Sequence, residues 1–125
     1  MALNLMVVDD SSVVRKVIKR TLDMSSVKYD RLIEAADGKQ ALEALGQNWV
    51  DLIFLDINMP VMNGIEFLKA VKQHPTSKFT PVIMLTTEAG DDLKQQGREA
   101  GAKAWIVKPF QPQTLLDAVA KLILP

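Results

Sequence analysis

The sequence predicts an α/β fold: a doubly wound parallel sheet of five strands flanked by five helices. Three observations carry that expectation. Short apolar runs at 5–8, 52–55 and 81–86 are too continuous for strands with one wet face, and suit strands buried between helices. Segments of helical period alternate with them, and the connections are only a few residues long, with no repeat or linker. A length of 125 residues suits one core, so 1–125 is expected to be a single domain.

The first strand, 5–8, ends on Asp9 and Asp10, after which a serine at 11 or 12 can cap a helix. In that helix Val13, Val14, Val17, Ile18, Thr21 and Leu22 recur at helical spacing and should face the sheet. Arg15, Lys16, Lys19 and Arg20 fill the other side, expected to be a solvated basic face. Residues 32–35 form a weaker second strand. Asp37-Gly38 turns into a helix over 40–45, which Gly46 ends. The third strand runs to Asp56. Beyond it lie Pro60 and Asn63-Gly64, whose glycine can take a positive φ before a helix over 65–72. His74-Pro75 stops that helix and leaves His74 exposed; Trp49 is expected to cap the second helix against the third strand. A fourth strand at 81–86 precedes a helix over 93–100 that Gly97 weakens. The fifth strand is 104–107. Pro112 then opens a last helix that turns Leu115, Leu116, Val119, Leu122 and Ile123 inward.

Composition excludes several functions. Fifteen Lys and Arg balance fifteen Asp and Glu, so net charge gives no case for binding nucleic acid or a membrane surface. The absence of Cys excludes disulfides and thiolate metal sites, and one histidine cannot build a His-rich zinc site. Any metal must be held by oxygen. The apolar opening is too short for a signal peptide or a membrane span, so the cytoplasm is the expected location.

Strands one, three, four and five each end on polar residues that a buried strand does not need: Asp9 with Asp10, Asp56, Thr86 and Lys108. In a parallel sheet these ends share one edge, where the ligand crevice of such folds lies. Three carboxylates about 5 Å apart repel by roughly 3 kcal/mol per pair at an effective dielectric near 20. Lys108 and a hard divalent cation such as Mg²⁺ would offset that charge. The set matches phosphoryl transfer: Asp56 as the attacking carboxylate, cations over the equatorial oxygens, and Thr86 as a hydroxyl donor. No dinucleotide glycine fingerprint follows the first strand, and Gly38-Lys39-Gln40 lacks the spacing and hydroxyl of a phosphate-binding loop. An aspartyl-phosphate phosphatase working through Asp10 or Asp56 is an alternative, but its usual Asp-x-Asp pattern is broken by Ser12. A flavin-binding protein on the same fold would need a hydroxyl-rich loop where this chain has two aspartates.

Together, Asp9-Asp10, the Asp56 strand with Met59-Pro60 and Gly64, Thr86, and Lys108-Pro109-Phe110 resemble the receiver domain of bacterial response regulators, over residues 5 to about 123. The pattern 56–60, Glu88 two after Thr86, and a chain ending at the fifth helix are most similar to the stand-alone chemotaxis regulators of that family. The resemblance implies a flavodoxin-like strand order 2-1-3-4-5. It also implies that Asp56 accepts a phosphoryl group from a sensor histidine kinase (CheA-like) or from acetyl phosphate. Asp10, Asp56 and the backbone carbonyl of Asn58 would hold Mg²⁺, with Asp9 acting through water. Lys108 would pair with phosphoryl oxygens, its peptide to Pro109 being a candidate for cis. Thr86 would move toward the phosphate and let the strand-five aromatic change rotamer, altering a surface made by helix four, strand five and helix five. That aromatic, more often Tyr or Phe, is here Trp105, whose indole N–H needs a partner when buried. Asn58 and Glu88 would tune the lifetime of the phosphoaspartate.

The implied protein is a monomeric two-component switch that catalyses only its own phosphorylation and dephosphorylation. Its expected partners are the kinase, a downstream target such as the flagellar motor switch, and a phosphatase, with neither nucleic acid nor membrane. A phosphorelay intermediate unconnected with motility is the alternative output. No output domain follows Pro125, so output is expected to be protein contact.

Overall fold

The computed structural model describes residues 3–59, 62–87 and 91–123. Pro60 and Glu88, and with them the roles expected of those two residues, lie outside the described residues. Strands and helices alternate: β1 Leu3–Val8, α1 Ser12–Asp23, β2 Tyr29–Ala35, α2 Gly38–Leu45, β3 Leu52–Asp56, α3 Gly64–Gln73, β4 Val82–Thr86, α4 Asp91–Glu99, β5 Ala104–Val107 and α5 Pro112–Leu122. All pairings are parallel, in the order β2-β1-β3-β4-β5, as the resemblance implies.

Strand alternation divides the interior into two cores. Leu5 and Val7, Leu52 and Phe54, Ile83 and Leu85 meet Ile18 and Leu22 of α1 and Leu115 and Val119 of α5. The intervening Met6 and Val8, Ile53 and Leu55, Val82 and Met84 meet Ala41 and Leu45 of α2 and Phe67, Leu68 and Val71 of α3. Because both faces are covered, the three central strands carry no polar residue from Leu5, Leu52 and Val82 until they end. No helix among the described residues is long and apolar enough to cross a membrane.

Local chemistry sets the helix starts. Ser11 Oγ accepts from the Val14 N–H at 3.3 Å, Asp37 Oδ1 from Gln40 at 2.8 Å and Asn63 Oδ1 from Glu66 at 2.9 Å. Pro112 occupies the first turn of α5, where its missing N–H costs nothing.

Several expectations are corrected. In α1, Val13 and Val17 are 67% and 45% exposed, so the apolar stripe is wider than the face the sheet covers. β2 begins at Tyr29, because pairing with β1 recruits polar residues that alternation alone leaves out. Gly64 has no positive φ; that conformation belongs to Gly101, at 105°. Glycine at 64 serves close approach instead, since a Cβ there would lie 2.6 Å from both the Asp56 carbonyl oxygen and Ile57 Cα. Gly97 does not interrupt α4: a Cβ would lie 2.2 Å from Met84 Sδ, so its absence lets the helix press onto β4. Gly46 does end α2, as expected, and does so in a right-handed conformation. Trp49 caps nothing; it is 64% exposed and its Nε1 donates to Asp51 Oδ1 at 3.0 Å. His74 is half-buried, its Nδ1 accepting from the Thr76 N–H.

At the amino edge of the sheet Asp51 ties β3 to β1. Its carboxylate accepts from the Asn4 N–H at 2.8 Å, and its own N–H donates to the Asn4 carbonyl at 2.7 Å.

Candidate functional site

The carboxyl ends of β1, β3, β4 and β5 bring Asp9, Asp56, Thr86 and Lys108 to one edge. Asp9 and Thr86 are fully buried and Asp56 almost so, whereas Asp10 and Asn58 are exposed at the mouth. Asp9, Asp10 and Asp56 each offer a carboxylate oxygen within 4.8 Å of the others. Lys108 Nζ donates to Asp9 Oδ2 at 3.2 Å and to Asp56 Oδ1 at 3.3 Å, so one cation serves the two buried acids. The Lys108–Pro109 peptide is cis. The backbone N–H of Lys108 donates to the Thr86 carbonyl at 2.6 Å, which joins β5 to β4 at the edge.

Backbone donors aim the acids. Asp56 Oδ1 also accepts the Asn58 N–H at 3.1 Å, which curls the loop so that residue 58 follows the site. Asp9 Oδ1 accepts from the Ser11 N–H at 2.9 Å. α3 starts against the Asp56 backbone, with the Gly64 N–H donating to the Ile57 carbonyl at 2.9 Å.

Electrostatics follow from the geometry. Burial pushes the Asp56 carboxyl up to about 6, and the negative charge of Asp9 adds to the rise. Lys108 and the Asn58 N–H pull the other way but do not cancel it. For Lys108, burial disfavours the ammonium form, yet the charges of Asp56 and Asp9 and the hydrogen bonds to them hold its pKa above the usual lysine value. One lysine therefore under-compensates three carboxylates. The site is built to take more positive charge, and its donors are hard oxygens suited to Mg²⁺.

The structure thus assembles Asp9, Asp10, Asp56, Thr86 and Lys108, with Asn58 on the adjoining loop. Trp105 lies behind them, packed against the core on the α3 and α4 side. Its Nε1 is buried without a hydrogen-bond partner among the described residues, and Lys94 Nζ stands 5.9 Å from the ring centroid.

Sequence reasoning missed Arg15. Placed by periodicity on a solvated face, its side chain is only 17% exposed and reaches back to the Asp9 carbonyl. Nothing in the periodicity of α1 distinguishes it from Lys16 or Lys19.

Comparison with known proteins bears out the family and the fold expected from the sequence. The family model for the response regulator receiver domain matches residues 5–120. The chain is 42% identical over 116 residues to the chemotaxis protein CheY1 of Helicobacter pylori, covering 92% of each. It superposes on the chemotaxis protein CheY4 of Vibrio cholerae with a TM-score of 0.90 and 41% identity, covering 98% of this chain and 100% of that one. The receiver domain of the sensor histidine kinase PA1611 of Pseudomonas aeruginosa, solved with a magnesium ion in its active-site cleft, shares the fold. Its TM-score is 0.86 at 24% identity, with 98% of each chain covered.

Proposed function

Because the chain belongs to the response regulator receiver domain family, we propose that it is a phosphorylatable switch whose acceptor is Asp56. The supporting observation is that Asp56, buried at the end of β3, shares Lys108 with Asp9 and lies within reach of Asp10. At neutral pH a carboxyl with a pKa near 6 is mostly ionised and able to attack phosphorus. A phosphohistidine or acetyl phosphate would supply the group: the Asp56 oxygen forms the new P–O bond, and the old P–N or P–O bond breaks. Lys108 would offset charge on the transferred oxygens, and Thr86, at the end of β4, would donate its hydroxyl to one of them. Asp10, Asp56 and the Asn58 carbonyl would hold Mg²⁺, with Asp9 acting through water. When bound, the ion supplies the positive charge that one lysine does not.

The donor protein must approach over the mouth. Beside it, Val13, Val17, Pro109 and Phe110 form an apolar hollow that Lys108 also lines, a surface suited to a kinase domain presenting its histidine. Thr86 and Trp105 would carry the phosphorylated state to the α4, β5 and α5 surface, where a downstream protein reads it. By its likeness to chemotaxis proteins the output is motility control. The whole chain acts as one receiver domain that turns over no external metabolite.

Incubation with acetyl phosphate and Mg²⁺, followed by intact mass, tests this reading. One phosphoryl adduct is expected, absent in Asp56→Asn. Sustained phosphate release from varied phosphate esters, unaffected by that substitution, would overturn it.

A further inference from the structure

We propose that Arg15 is a positioning residue for the metal-binding acids, setting the aim of Asp10 through the Asp9–Asp10 peptide; the inference rests on the site reading above. Every polar group of Asp9 is tied. Its N–H donates to the Ala35 carbonyl of β2 at 3.1 Å, and its carboxylate accepts from Ser11 and from Lys108. Its carbonyl accepts from Arg15 Nη1 at 2.5 Å. Asp10, the exposed acid, is thereby attached to a peptide whose carbonyl is clamped from the helix side. Rotation of that peptide, which would swing Asp10 away from Asp56, requires breaking a charge-assisted hydrogen bond.

Glu34 completes the arrangement. Arg15 Nε donates to Glu34 Oε1 at 3.0 Å, so the guanidinium bridges β2 and the β1–α1 loop with two different nitrogens. The pairing with Glu34 also keeps the guanidinium from leaning onto the acid cluster, where it would compete with a bound cation. Groups that orient metal ligands from behind govern affinity without touching the ion.

Charge and geometry make opposite predictions. If Arg15 acted only as a nearby positive charge, removing it would tighten Mg²⁺ binding. As a clamp, its removal weakens binding. Calorimetric titration of the metal-free protein with Mg²⁺ separates the two. Arg15→Met is expected to bind about tenfold more weakly. Arg15→Lys keeps the charge and one donor but not the fork, and should fall between that variant and wild type. Glu34→Gln, at an exposed position that leaves the fold intact, should weaken binding by about threefold. Unchanged or tighter binding in Arg15→Met overturns the inference. Should that variant fail to fold, unchanged binding in both Arg15→Lys and Glu34→Gln overturns it. At saturating Mg²⁺, acetyl phosphate should still give the Asp56 adduct in all three. A wild-type protein that binds Mg²⁺ but forms no adduct would sink the phosphoacceptor reading and leave this one standing; a wild-type protein that takes no Mg²⁺ sinks both.

Discussion

Trp105 and Thr86 project from the same face of the sheet: Met84 pairs with Trp105 and Thr86 with Val107, so the two side chains stand one pleat apart on neighbouring strands. A hydroxyl at the site and an indole at the surface share that face with α4, which Gly97 lets press against Met84. Movement of Thr86 toward a phosphoryl group would open space beside the indole. In a Trp49→Phe background, Mg²⁺ with beryllofluoride is therefore expected to change Trp105 fluorescence. The background matters because Trp49 is exposed and would dominate the emission. An unchanged spectrum, with ligand binding shown by calorimetry, would mean that the switch bypasses Trp105.

A pH-dependent stability difference is expected for Asp56→Asn. The folded-state pKa of Asp56 is raised from 3.8 to about 6, so the folded protein binds more protons than the unfolded chain between those values. Stability from this group is present below pH 4 and lost as pH rises through 6. Without metal, the Asn variant should be more stable than wild type at pH 7.5, by about 2 kcal/mol. The gap should close near pH 4. Urea melts at the two pH values check the sign; a variant less stable at pH 7.5 would contradict the strained carboxylate.

Lys108→Met should leave Asp9 and Asp56 facing each other with no cation between them. A loss of about 2 kcal/mol is expected at pH 7.5 in the absence of metal. Millimolar Mg²⁺ should recover much of it, because a divalent ion replaces the missing charge. Thermal melts with and without Mg²⁺ report both effects. Adduct formation from acetyl phosphate should nonetheless slow by about a hundredfold, since in the proposed reaction the lysine would face the transferred oxygens.

Gly64→Ala tests the approach of α3 to the acceptor strand. The new methyl would meet backbone atoms of Asp56 and Ile57, which cannot rotate away. Destabilisation of about 3 kcal/mol is expected, together with slower phosphorylation as the Asp56 loop shifts. A denaturant midpoint equal to wild type would show that the helix start can retreat without cost.

The strand-end rule made the site legible in the sequence: Asp9, Asp56 and Lys108 are each the first polar residue after an apolar run, Thr86 is the last residue of one, and Asp10 directly follows Asp9. The order of strands came from likeness to a family, since alternating units fix handedness but not sequence across the sheet. Side chains read by helical period fared worse. Val13 and Val17 repeat like core residues yet flank the mouth, and Arg15 repeats like a solvated residue yet holds the Asp9 carbonyl. Period reports which face a residue occupies, whereas function here turns on how far along the helix it sits. Val13 and Arg15 lie in the first turn of α1, beside the sheet edge, while Val17, one turn on, lies on the part of the apolar stripe that the sheet leaves uncovered. Gly64 and Gly97 were misjudged for a related reason. Backbone preference was the visible property, and the space left by a missing Cβ depends on which element crosses there.

Asp51 gives the acceptor strand a zero mark. β3 is apolar on both faces, so its side chains alone resist a slide of two residues only weakly: each would find a similar neighbour. Such a slide would carry Asp56 about 7 Å along the strand, out of reach of Lys108. Paired hydrogen bonds between Asp51 and Asn4 prevent it, fixing the ruler at one edge so that it reads correctly at the other. A substitution at Asp51 that slowed phosphoryl uptake would be acting through length, from the opposite rim of the molecule.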